Sequence, residues 1–253
     1  ERARSVYSEL QGAGPAALHD LARTGRQRRE QELSARAARR PHIIDVRARF
    51  AQRRSIGPLT LILIVLCVVV GVVTTLGSNL STLHYFTISD FVTRGRGLLV
   101  EPGFASIERG QVWRLISPIF VHFGILHLVF NLWWLKDFGS AIERFFSSIY
   151  LLVLVLVFGV TSNVAQYWWV GSPMFGGMSG VLYGLFGFLW LRGRLDPSCP
   201  VSLPNVTTLI LLGWYVACLV GFIPNVANAA HTGGLALGAA WGYLSTVARK
   251  RAR

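Results

Sequence analysis

The chain has 253 residues, of which 52% are hydrophobic and only 15% charged. Soluble domains average about a quarter charged residues, and about half of the charges here fall within the first 54 positions. The remainder is too apolar for a soluble enzyme or a disordered regulator, and reads as a polytopic membrane protein. In a soluble chain the net charge of +13 would suggest nucleic acid. In a membrane protein it fits cytoplasmic segments facing anionic lipid headgroups, so no nucleic-acid partner is expected.

Residues 1–55 hold thirteen arginines, no lysine and few large apolar side chains. This stretch builds no core and reads as a cytoplasmic tail or the remnant of a truncated domain, with an Ala/Arg/Glu-rich helix over 27–40 or disorder as alternatives. The first residue is Glu rather than Met, which suggests a piece of a longer chain, and no apolar run of signal-peptide type precedes residue 56. Cys67, Cys199 and Cys218 form an odd, scattered set without disulfide or metal-like spacing.

The first long apolar run covers 58–76, enough helix to cross a hydrocarbon core about 30 Å thick. A loop over 77–112 follows; with Tyr85, Phe86, Phe91 and Phe104 it is aromatic enough to pack at the membrane interface. Further runs cover 115–135, 149–170, 179–191, 206–223 and 227–247, which makes six spans. Basic residues in the tail, at Lys136 and Arg144, at Arg192 and Arg194, and from Arg249 onward place both termini in the cytoplasm. The fourth run is about 20 Å of helix before Arg192, too short to span. The segment 174–180 should therefore dip into the membrane and put Ser179 at a buried helix start.

Ionisable residues inside spans are functional candidates by default. No carboxylate or lysine falls inside these six runs, which removes a di-aspartyl site, a His-Glu-x-x-His zinc site and a Ser–Lys pair. Left are His122, His127 and Asn131 in the second run, Ser179 opening the fourth and His231 in the sixth. His127 and Asn131 share a helix face. A serine and a histidine on different helices can form a nucleophile and general base. With no carboxylate to orient it, His231 would depend on packing, and Tyr183, one turn after Ser179, is the ring placed to stack on it. Gly180 and Gly184, and Gly234 and Gly238, are small-xxx-small faces that let spans four and six approach closely. The Ser179 N–H, with the His127 and Asn131 side chains, can serve the oxyanion. His122 lies off that face and is expected to bond locally. Singly, each feature has a plain reading: a membrane Ser bonded to its own backbone, or His and Asn as helix–helix glue.

In combination, these residues resemble the rhomboid family of intramembrane serine proteases. The resemblance rests on Trp113-Arg114, His127-x-x-x-Asn131, Gly177-Met-Ser179-Gly180 with Tyr183, and Ala230-His231-x-Gly233-Gly234 followed by Gly238, across residues 56–248. It implies an all-α, six-transmembrane-helix bundle over 56–248 with a short buried fourth helix, flanked by the tail 1–55 and a basic C-terminus 249–253. It implies Ser179 as nucleophile, His231 as base, His127, Asn131 and the Ser179 N–H around the oxyanion, and Gly177, Gly180 and Tyr183 in support, without metal or cofactor. Transmembrane proteins become the expected substrates, with entry near 203–228, and a bacterial inner membrane the expected home. A structural role is expected for Trp113-Arg114. The competing readings are an inactive rhomboid-like protein that binds or escorts membrane clients, and a solute transporter; the latter lacks buried charges and inverted broken helices.

Overall fold

A computed structural model of the chain describes residues 14, 23–33, 56–95 and 97–251. The chain divides into two compact units, 1–43 and 44–253. In the first, the described part is mainly an exposed helix over 23–33; the rest of the helix expected over 27–40 lies outside the described residues.

The second unit is built on six long helices: α1 (Pro58–Val73), α2 (Ile125–Phe145), α3 (Ser148–Val170), α4 (Ser179–Leu195), α5 (Asn205–Leu219) and α6 (Asn228–Arg251). Most agree with the apolar runs to within a turn. The second does not: residues 112–120 form two short 3-10 turns, and α2 starts ten residues later than the run at 115. Pro118, with no N–H to donate, sits in the first turn of the second of these. In consequence Lys136, Asp137, Glu143 and Arg144 lie within α2 rather than beyond it, and His122 lies in the loop before it. Apolarity marks hydrocarbon contact, whereas a helix continues as long as its backbone bonds do.

Among the described residues, α3 alone is long and apolar enough to cross a membrane by length and composition; α1 and α5 are apolar but only 16 and 15 residues long. Helix α4, 17 residues, ends in Arg192 and Arg194, and α6 ends in Arg249, Lys250 and Arg251. Helices α1, α3 and α5 turn exposed apolar side chains outward, such as Val72, Ile149 and Leu209, while Trp168 and Trp169 stand exposed at the end of α3. By contrast α4 is buried almost throughout, from Gly180 to Leu189. It packs most extensively on α6, which in turn leans on α3. Phe158, Phe186, Phe188, Leu135 and Ile142 fill the centre.

The loop after α1 adds what the all-α expectation omitted, an antiparallel hairpin of β1 (Phe91–Arg94) and β2 (Gly97–Val100), with Phe91 opposite Val100. Arg114 anchors this loop. Its guanidinium is 1% exposed and donates to the carbonyls of His84 at 2.5 Å and Thr87 at 2.9 Å, to Gln111 at 2.6 Å, and pairs with Asp90 at 3.2 Å. Trp113 donates to the Tyr85 carbonyl at 3.3 Å. Beside the hairpin, Glu101 accepts from the Ser106 hydroxyl and from Arg109, which together hold its carboxyl below the usual range.

Helix α1 has no side-chain cap of its own. Glu143 of α2 supplies one, accepting from the N–H groups of Leu59 and Thr60 at 2.7 and 2.9 Å, from the Thr60 hydroxyl at 2.8 Å and from Ser148 at 2.7 Å. A buried carboxylate thus meets the unpaired N–H groups and positive dipole end of a helix. Glu143→Ala should cost about 2–3 kcal/mol of stability, in the range for hydrogen bonds to a charged group. Thermal unfolding in detergent checks this, and an unchanged midpoint would show that the carboxylate holds nothing.

Candidate active site

Ser179 is the first residue of α4, and the segment before it is non-helical yet buried at Pro173, Phe175, Gly177 and Met178. That backbone has to be bonded to something other than water, and the Gly177 N–H donates to the Pro118 carbonyl at 3.0 Å. Gly177 holds φ +115°, and a Cβ there would lie 2.7 Å from His127 Nε2. Only glycine meets both conditions, because it alone tolerates that φ and leaves the ring room.

His231 sits in the first turn of α6, 5% exposed. Its Nε2 lies 2.8 Å from Ser179 Oγ, across 52 residues of chain. If Nε2 accepts the hydroxyl proton, the ring proton sits on Nδ1, which has no hydrogen-bond partner among the described residues. The arrangement is accordingly a pair rather than a triad. The Tyr183 ring lies against the imidazole, with centroids 4.6 Å apart at 40°. Its hydroxyl donates to the Leu211 carbonyl of α5 at 3.2 Å, so the ring is fixed at both ends.

Two α2 residues complete the group. The Phe123 N–H donates to His127 Nδ1 at 3.4 Å, which leaves Nε2 as the N–H facing Gly177 and the serine beyond it. Asn131 is 4% exposed and donates its Nδ2 to the His127 carbonyl at 2.7 Å. The amide therefore braces the helix turn that carries His127, with its second hydrogen uncommitted. His122 is bonded locally, Nδ1 to the Phe120 carbonyl at 3.0 Å, and its ring lies 5.1 Å from that of His127.

The close approach of α4 and α6 is there, but its geometry is not two glycine faces meeting. A Cβ on Gly234 or Gly238 would collide with the carbonyl oxygen of Gly180 or Gly184, so the glycines of α6 receive the α4 backbone. The Cβ positions of Gly180 and Gly184 point mainly at α3, toward Ser162 and Phe158. Sequence reasoning passed over α3 as plain apolar span. Its Ser162, Asn163 and Gln166 are all buried; Asn163 donates to the Leu115 carbonyl at 2.8 Å, and Gln166 accepts from the Ala230 N–H at 3.1 Å. The signal was there: Ser162 and Gln166 lie four apart on one face of an otherwise apolar helix.

A helical bundle with apolar outer faces, holding a serine and a histidine in hydrogen-bond contact at two buried helix starts, defines a class of membrane-embedded proteins with a hydrolase-type pair. The Rhomboid domain family matches residues 109–247. Proteins called rhomboid protease GlpG from Salmonella paratyphi A, Salmonella choleraesuis and Salmonella typhi are each 34% identical over 201 residues, which covers 79% of this chain and 67% of theirs. The chain belongs to the rhomboid family, and it is an integral membrane protein.

Proposed function

We propose that Ser179 and His231 form the dyad with which this chain cleaves transmembrane segments of other membrane proteins. The chain is a serine-type intramembrane endopeptidase, and the observation that carries the assignment of residues is the 2.8 Å contact between Ser179 Oγ and His231 Nε2. As Oγ attacks a peptide carbonyl carbon, His231 Nε2 takes its proton. The C–N bond then breaks, and the same proton passes to the leaving amine. A water molecule repeats the sequence on the acyl-enzyme, freeing Ser179 and the new carboxylate. The tetrahedral oxyanion is met by the Ser179 N–H at a helix start and by His127 Nε2–H, with Asn131 beside it.

The bundle is read as six spans over 56–248, with α4 as a short buried fourth span. Both termini face the cytoplasm, and the membrane is a bacterial inner membrane. The basic segments 1–55 and 249–253 lie against anionic headgroups. Supporting this orientation, the basic ends of α4 and α6 share one acidic partner: Asp196 pairs with Arg192 at 3.5 Å and Arg249 at 3.4 Å. No resident metal is assigned a step.

The test is cleavage of a fluorogenic transmembrane substrate in proteoliposomes containing a metal chelator, alongside labelling of Ser179 by a fluorophosphonate. Chelator-resistant cleavage with labelling supports the reading; labelling at another serine overturns it. His127→Ala should lower kcat on the order of 10²-fold, as loss of one oxyanion donor does elsewhere. Asn131→Ala should lower it less, because its amide is engaged by the His127 carbonyl. The same assay reads both, and a larger effect for Asn131 would reverse their order of importance.

A further inference from the structure

We infer that Gln166 is a positioning residue for His231, its side-chain carbonyl holding the first turn of α6 where the imidazole meets Ser179. This inference rests on the dyad reading and adds a residue on a third helix.

Gln166 is 6% exposed on α3, and its Oε1 accepts the Ala230 N–H at 3.1 Å across 64 residues of chain. Ala230 is the third residue of α6 and precedes the base directly. Its N–H is one of the donors that a helix start cannot satisfy from within. The next N–H, that of His231, is bonded to the Ala227 carbonyl at 3.1 Å, so the Gln166 bond acts where the internal ladder of α6 begins. Asn228, at the first position of α6, is not available for this task, since its Nδ2 donates to the Cys218 carbonyl at 3.0 Å. A cap that most helices draw from their own chain is here supplied by a neighbouring helix.

The same face of α3 reaches the nucleophile's side. Ser162, one turn before Gln166, is the atom group that a Cβ on Gly180 would meet, and Ala165 is what a Cβ on Gly233 would meet at 3.1 Å. Gly180 follows Ser179, Ala230 precedes His231, and Gly233 lies two residues beyond it. One ridge of α3 is thereby the common reference against which both halves of the dyad are placed. A glutamine suits the post better than a glutamate. It presents a carbonyl oxygen without adding a charge in the apolar core beside an imidazole that must be neutral to accept a proton.

Gln166→Met keeps the length of the side chain and removes the acceptor. Assayed in proteoliposomes on the fluorogenic substrate, it should lower kcat about tenfold or more, given the cost of misplacing a catalytic group by about an ångström. KM should stay within about twofold, since no substrate contact is lost. Fluorophosphonate labelling of Ser179 should slow by the same factor as kcat, while the thermal midpoint in detergent holds. Unchanged kcat overturns the proposal, and so does a loss of labelling that merely tracks a lowered midpoint. Should Gln166→Met fail to fold, Gln166→Asn, which draws the oxygen back by one methylene, is measured in the same way. Failure of both to fold assigns Gln166 to the fold alone and also overturns the proposal. Ser179→Ala is run beside them: turnover by that variant would sink the dyad reading itself, whereas an inactive Ser179→Ala with a fully active Gln166→Met sinks only the role given to Gln166.

Discussion

Ser179→Ala should yield a protein that folds, inserts and unfolds like the parent, yet cleaves nothing. The substitution removes one oxygen at the start of α4, where the only polar partner of Oγ is His231 Nε2, and alanine is a good helix former at that position. The imidazole keeps its place between Tyr183 and the α6 backbone, so packing does not change. What disappears is the atom that bonds to the carbonyl carbon, and in dyads and triads loss of that atom costs on the order of 10⁶ in kcat. Cleavage in proteoliposomes and a melting curve in detergent are the two measurements. Residual turnover well above that of the lipid blank would show that another nucleophile operates; a lowered midpoint would show that the serine also holds the fold.

The second large effect is expected from a change that touches neither dyad residue. Gly238→Val puts a branched side chain where a Cβ alone already collides with the Gly184 carbonyl oxygen. Backbone cannot step aside as a flexible side chain can, so α4 and α6 must separate. Overpacking of this kind costs about 1–3 kcal/mol. The functional cost is larger, because a displacement on the order of 1 Å between nucleophile and base lowers rate about 10²-fold. A melting curve and kcat on the same preparation should therefore show a modest fall in midpoint with a severe fall in rate. Unaltered activity would mean that the helices do not need that approach. Gly180→Leu, by contrast, should press first on Ser162 of α3, and disturb α6 only through that contact.

The site was legible in the sequence to the extent that chemistry restricts which residues enter a membrane interior. Ser179, His231, His127 and Asn131 stood out because almost nothing else polar lay in the apolar runs, and the structure brings the first two into contact. The start of α4 at Ser179 could be read from the short distance to Arg192. The start of α2 could not, because the residues from Leu115 to Gly124 are as apolar as a span while their backbone turns twice around Pro118. The hairpin was hidden for a related reason. Its strands are four residues each, too short for alternation to rise above the surrounding aromatics. Glu143 escaped notice as an edge carboxylate, because its role depends on which helix start comes to lie beside it. Gln166 shows the same limit: spacing can put a polar group on a face, but only the fold decides what that face meets.

The seating of α6 on the backbone of α4 also bears on when the enzyme becomes active. During synthesis Ser179 emerges some fifty residues ahead of His231, and α6 is the last of the long helices to be made. Until Gly234 and Gly238 receive the Gly180 and Gly184 carbonyls, the serine has no base and remains an ordinary alcohol. Activation is thus the final packing event of biogenesis rather than a separate processing step. A nascent chain crossing the translocation machinery, surrounded by other transmembrane segments, carries its nucleophile unarmed until its own fold is complete.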